Sequence, residues 1–190
     1  MSVDDGAHTV LVVDDEPEFA DSVALWLRDH WDVRVAYDGE EAVEAYGPEV
    51  DAVLLDRRMP RLSGDEVLAE IRAQPGESGV GMMTAVQPDW DVVEMEFDLY
   101  LKKPVRKEEV IEATQKLLSR AEYARELQAL FALSAKVGAL RARYDADELA
   151  DDERFERLQA ELERVKAQAN ERLAELDPEE FEEMMSVVDA

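Results

Sequence analysis

Short apolar runs alternate with stretches in which apolar residues recur every three or four positions, and this alternation holds from residue 8 to about residue 119. The runs are Val10-Leu11-Val12-Val13, Val33-Arg34-Val35-Ala36-Tyr37, Ala52-Val53-Leu54-Leu55, Gly79-Val80-Gly81-Met82-Met83-Thr84 and Asp98-Leu99-Tyr100-Leu101-Lys102. Branched apolar residues in unbroken sequence predict strands buried on both faces. The fourth run has glycines and methionines where strand formers are usual, so its assignment rests on its place in the alternation. Between the runs, Phe19, Val23, Trp26 or Leu27 and His30 predict one helical face, Ala42, Val43 and Tyr46 a second, Val67, Leu68 and Ile71 a third, and Val110, Ile111, Thr114, Leu117 and Leu118 a last. Strands alternating with helices predict a parallel sheet with right-handed crossovers: a doubly wound, five-stranded, flavodoxin-like α/β domain of strand order 2-1-3-4-5 over residues 8–119.

From about Ser119 the strand signal stops. Leu127, Leu130, Phe131, Ser134, Val137 and Leu140 predict one helical stripe, Tyr144-Asp145-Ala146-Asp147 a break, and Phe155, Leu158, Leu162, Val165, Ala169, Leu173 and Leu176 a second stripe with near coiled-coil spacing. Asp177-Pro178 opens a short last helix carrying Phe181, Met184, Met185 and Val188. Residues 120–190 therefore read as an all-α extension, and with no Pro/Gly/Ser linker before it, the last helix of the α/β domain is expected to run straight on.

Charge narrows the partners. The chain has 190 residues and a formal net charge of −26, spread over both parts. Such a field repels phosphate backbones, so direct DNA binding is not expected. Lysine is scarce, and an acidic, lysine-poor surface suits concentrated salt, where screening acts over a few ångströms; a halophilic source is expected. Without cysteine there are no disulfides or thiolate metal sites. The acidic start has no signal-peptide pattern and no apolar run is long enough for a membrane helix, so a cytoplasmic protein is expected.

The strand ends carry the chemistry. Asp14 and Asp15 follow the first run, Asp56 the third, Thr84 closes the fourth and Lys103 follows the fifth. In a 2-1-3-4-5 sheet these carboxyl ends face one crevice. Three carboxylates together repel unless a hard cation joins them, and magnesium suits oxygen donors. A lysine and a hydroxyl beside them complete a site for a transferring phosphoryl group, with Asp56 as the attacking carboxylate. Each residue alone fits an ordinary turn or cap; the coincidence at four strand ends argues for the site.

Five motifs carry a resemblance: Leu11-Val12-Val13-Asp14-Asp15-Glu16, Asp38-Gly39-Glu40-Glu41-Ala42, Leu54-Leu55-Asp56 with Met59-Pro60 and Gly64, Thr84-Ala85, and Tyr100-Leu101-Lys102-Lys103-Pro104. Residues 8–119 resemble the receiver domain of two-component response regulators. The resemblance implies a phosphorelay protein that accepts a phosphoryl group on Asp56 from a histidine kinase or phosphotransfer protein. It implies magnesium held by Asp15, Asp56 and the Arg58 backbone carbonyl, with Asp14 acting through water. It also implies Thr84 and Lys103 on the phosphoryl group, Thr84 and Tyr100 as switch residues, and a cis bond before Pro104.

Two departures stand out. The segment from Ala85 to Leu99 is short and holds Pro88, so a fourth receiver helix there is expected to be short or distorted. Arg58, two residues after Asp56, is long and cationic. The tail is similar to the HalX helical segment that follows receivers in haloarchaeal proteins, through Arg120-Ala121-Glu122-Tyr123 and Phe131-Ala132-Leu133-Ser134-Ala135-Lys136. It is expected to bind another protein or itself.

Two other readings compete. One is a non-phosphorylated interaction module. The other is an aspartyl-nucleophile phosphatase, which wants a second aspartate where Arg58 stands. Apart from self-phosphorylation and dephosphorylation, no enzyme activity is expected.

Overall fold

Five parallel strands form one sheet in the order β2-β1-β3-β4-β5, with β1 at Thr9–Val13, β2 at Asp32–Ala36, β3 at Val50–Leu55, β4 at Gly79–Thr84 and β5 at Leu99–Lys102. The structure is a computed structural model that describes residues 8–74, 76–85 and 95–175, with side chains as far as residue 171. The helices are α1 (Pro17–Leu27), α2 (Gly39–Ala45), α3 (Gly64–Ala73), α4 (Lys107–Arg143), α5 (Ala146–Ala150) and α6 (Glu153–Glu175). The expected short helix between Ala85 and Leu99 falls largely, and the last helix from Pro178 wholly, outside the described residues.

Side chains alternate across a strand, so each strand feeds two cores. Leu11, Val13, Val53, Leu55, Val80 and Met82 face α2 and α3 and pack with Ala42, Tyr46, Val67, Leu68 and Ile71. Val10, Val12, Ala52, Leu54 and Met83 face the other way and pack with Ala20, Val23 and Leu27 of α1 and Val110, Leu117 and Leu118 of α4. The sequence-based face of α1 needs correction. The helix ends at Leu27, where Arg28 caps it, and His30 lies beyond it and exposed; the buried face is Ala20, Val23, Ala24 and Leu27. Small alanines seat α1 against the sheet, which a stripe of large residues would not allow.

The weak strand signal of β4 also has a packing reason. A Cβ at Gly79 would lie 2.5 Å from the Leu117 carbonyl oxygen of α4, so only glycine fits that approach. All six residues of β4 are buried.

The chain divides into two compact units, residues 1–121 and 122–190, and the division falls within α4. In the second unit, Leu133 and Val137 of α4, Leu149 of α5 and Phe155, Leu162 and Val165 of α6 share one core, with Leu130, Leu140 and Leu158 at its edge. The short connection through α5 makes α4 and α6 antiparallel neighbours. This core corrects the first tail stripe: Phe131 is 68% exposed and Ser134 is exposed, whereas Leu133, which the spacing passed over, is buried. Phe155, Leu158, Leu162 and Val165 of the second stripe pack with α4 within the chain. Among the described residues no helix is long and apolar enough to cross a membrane.

Candidate functional site

The backbone ladder runs one residue past several strands. The Asp56 amide donates to the Val13 carbonyl at 2.8 Å, the Asp14 amide to Ala36 at 3.1 Å and the Lys103 amide to Thr84 at 2.8 Å. With Val13 paired to Leu55 and Thr84 to Lys102, these bonds fix the next side chains side by side at the carboxyl edge. Lys103 Nζ then lies 2.6 Å from Asp14 Oδ2 and 2.8 Å from Asp56 Oδ1. It also sits 4.4 Å from the centre of the Phe19 ring, whose electron-rich face favours an ammonium.

Both carboxylates are buried, Asp14 fully, and each uses its other oxygen on a backbone amide two residues on. Asp14 Oδ1 accepts from Glu16 at 3.1 Å and Asp56 Oδ2 from Arg58 at 2.8 Å. These Asx-type turns aim the carboxylates and hold the start of the following loops. Burial pushes the Asp14 carboxyl above its ordinary value, and the negative Asp56 adds to this, against the hydrogen bonds from Lys103 and Glu16 that pull it down. Burial also pulls the Lys103 ammonium down, but its bonds to Asp14 and Asp56 outweigh that and leave it raised, so it stays charged at neutral pH.

The other sequence-based candidates fall around this trio. Thr84 ends β4, 1% exposed, and its carbonyl carries the Lys103 amide. Tyr100 on β5 stacks at a tilt on Phe97, ring centres 5.7 Å apart, and packs on the core beneath α2 and α3. The Lys103-Pro104 peptide is cis. Arg58 gives its amide to Asp56, while its side chain is exposed. Asp15 is partly exposed beside Asp14. Among the described residues no three acidic groups converge as a ready metal cage. The donor chemistry nevertheless fits a hard divalent cation: two buried carboxylates that already draw an ammonium to themselves, with the carboxylate of Asp15 next in the chain.

The chain also matches known sequences. The profile of the response regulator receiver domain matches residues 10–115 and that of the HalX domain residues 119–185. The chain belongs to the response regulator receiver family. A putative transcriptional regulator of Haloferax volcanii is 46% identical over 85% of this chain, which spans only 28% of that relative. The transcriptional regulatory protein CpxR of Klebsiella pneumoniae is 31% identical over 75% of this chain, matching 66% of its own length. Thus the chain spans about a quarter of the first relative and just under two thirds of the second. Among solved structures, the receiver domain of a Pseudomonas aeruginosa sensor histidine kinase aligns with a TM-score of 0.54 and 27% identity, over 60% of this chain and 98% of that one. That structure has a magnesium ion coordinated in its active-site cleft.

Within this receiver, three further residues support the site, of which only Gly64 stands in the motifs. Arg57, its side chain nearly buried, grips Asp65 at the start of α3 with bonds of 3.0 and 3.1 Å, tying together both ends of the loop that follows Asp56. Gly64 allows that closure: a Cβ there would lie 2.2 Å from the Asp56 carbonyl oxygen. Phe19 is the third. The Arg57 to Asp65 spacing of eight residues across a loop has no periodic signature, and Phe19 read simply as one apolar helix position.

Proposed function

We propose that this protein is the phosphoacceptor of a phosphorelay and that Asp56 is the residue phosphorylated. The observation that carries the reading is the buried Asp56 carboxylate with the Lys103 ammonium 2.8 Å from one of its oxygens at the carboxyl edge of the sheet. An Asp56 oxygen attacks the phosphorus of a phosphohistidine on a histidine kinase or phosphotransfer protein; the new O–P bond forms as the P–N bond breaks, and the imidazole nitrogen leaves and takes up a proton. Lys103 is already held beside the attacking oxygen, so a phosphoryl oxygen gains its charge without a large rearrangement. Thr84, at the neighbouring strand end, supplies a hydroxyl for another phosphoryl oxygen, and Tyr100 reads the resulting shift.

Asp15, Asp56 and the Arg58 carbonyl would hold magnesium, with Asp14 acting through water. Bound there, the ion supplies positive charge against the phosphoryl oxygens. The receiver module covers residues 8–119, and residues 120–190 form the output, which acts by contact with a protein or with a second copy. The relatives' names refer to transcription; for this chain a net charge of −26 favours regulation through protein contact over direct grip on DNA. The acidic, lysine-poor chain and the Haloferax relative support a cytoplasm rich in salt.

Incubation with magnesium and a small phosphodonor such as acetyl phosphate should add one acid-stable, base-labile phosphoryl group, located to Asp56 by mass spectrometry. Asp56→Asn should take up none. Equal uptake by that variant, or no uptake by the wild type, rules the reading out.

A further inference from the structure

An ammonium carries three N–H groups, and among the described residues Lys103 places two carboxylates on its own, Asp14 Oδ2 at 2.6 Å and Asp56 Oδ1 at 2.8 Å. Phe19 takes a further side, its ring centre 4.4 Å from Nζ. Phe19 stands in the first turn of α1, where its amide donates to the Glu16 carbonyl at 3.0 Å, and that turn follows the end of β1 that also leads into Asp14. The buried face of α1 is Ala20, Val23, Ala24 and Leu27. Phe19, one position before that face begins, is only partly buried and packs at the edge of the core it shares with the sheet. Packing accounts for an apolar side chain there, and leucine would serve it as well. It does not account for a ring lying against the ammonium.

Accepting a phosphoryl group requires two things of Lys103. It must exchange a carboxylate oxygen for a phosphoryl oxygen, and it must stay beside Asp56 while it does so. A third carboxylate would pin the ammonium, and water alone would let it drift. A ring face attracts a cation without a directed hydrogen bond, over positions out to about 6 Å from its centre. The ammonium therefore keeps this contact as it slides between partners. We propose that Phe19 is a positioning residue for phosphoryl transfer, its ring holding the Lys103 ammonium beside Asp56 while that ammonium exchanges a carboxylate for a phosphoryl oxygen. This role rests on the phosphoacceptor reading of Asp56.

The test replaces Phe19 in the full chain by mono-, di- and trifluorinated phenylalanine. Each fluorine draws electron density from the ring face and weakens its hold on a cation, while the ring nearly keeps its size. With magnesium and acetyl phosphate, the rate of phosphoryl uptake should fall stepwise along the series, by about fivefold at the trifluorinated ring and in Phe19→Leu. Phe19→Tyr, which keeps a ring, should stay within about twofold of wild type. Melting temperatures should be level along the fluorinated series. In proton NMR of the unphosphorylated chain, the ε-methylene protons of Lys103 should lie upfield of those of the other lysines and lose that displacement in Phe19→Leu. A level rate along the series in a chain that labels at Asp56, a rate that falls only in step with the melting temperature, or Lys103 protons unmoved by Phe19→Leu would overturn the role of Phe19 and leave the phosphoacceptor reading standing. Absence of labelling in the wild type would remove both.

Discussion

Asp14 is a charged side chain with no exposed surface, held 2.6 Å from an ammonium, and its carboxyl is nonetheless raised above the ordinary value. Burial therefore outweighs pairing at Asp14, and under the proposed function the carboxylate serves cation binding at the expense of stability. Asp14→Asn should unfold at a temperature about 2–5 °C above wild type in chelator at neutral pH, while calorimetric titration shows weaker magnesium binding. A clear loss of stability would mean that the ion pair with Lys103 is a net stabiliser. Gly64 makes the opposite trade-off. Its missing side chain lets the loop close on Asp56, so Gly64→Ala must move backbone, and a destabilisation of about 2–4 kcal/mol is expected in urea titration. A variant as stable as wild type would show that the loop has another way to close.

At the scale of elements, caps and ion pairs decide how the helices are set against the sheet. Ser63 and Glu66 form a reciprocal capping box at the start of α3. The Ser63 amide, and then its hydroxyl, hold the Glu66 carboxyl below its ordinary value of 4.5. A lowered folded value means the contribution is complete above pH 4.5 and is lost as pH falls through the folded value. The stability difference between wild type and Glu66→Gln should thus be full at neutral pH and shrink below pH 4.5 in paired urea titrations; a difference unchanged at acid pH would contradict it. Asp98, just before β5, joins more elements. Its Oδ2 accepts from Arg72 of α3 and from the Val80 amide of β4, both at 2.7 Å, and Arg120 of α4 lies 3.3 Å from Oδ1. Asp98→Ala leaves a buried amide and an arginine without that acceptor, and should destabilise the first unit by about 3 kcal/mol in thermal unfolding. A loss under about 1 kcal/mol would show that water replaces it.

For the whole molecule the dominant quantity is the net charge of −26. Self-repulsion at that level is screened only when the Debye length falls to a few ångströms, so raising sodium chloride from 0.1 M to about 2 M should add roughly 2–3 kcal/mol of stability, seen as a melting temperature higher by about 5–10 °C. A flat response would show that the charges are spaced too widely to matter. The parallel α/β sheet, its strand order and the meeting of Asp14, Asp56, Thr84 and Lys103 at one edge were legible in the chain because branched apolar runs have one buried fate and because strand ends in a 2-1-3-4-5 sheet face one crevice. The expected tail stripe mixed two faces of the helix: Leu130, Leu133, Val137 and Leu140 already share one face, Phe131 lies about 100° off it, and the position of α6 makes the first face the buried one. Local pattern could not show that Lys103 would rest on Asp14 as well as Asp56 and over Phe19, or that Asp98, Arg57 and Gly64 would hold the loops: those contacts join residues far apart in sequence or on either side of a loop. Sequence periodicity determined which elements form and which strand ends face the crevice, while tertiary packing decided which side chains touch there, because a contact depends on distances that only the folded chain sets.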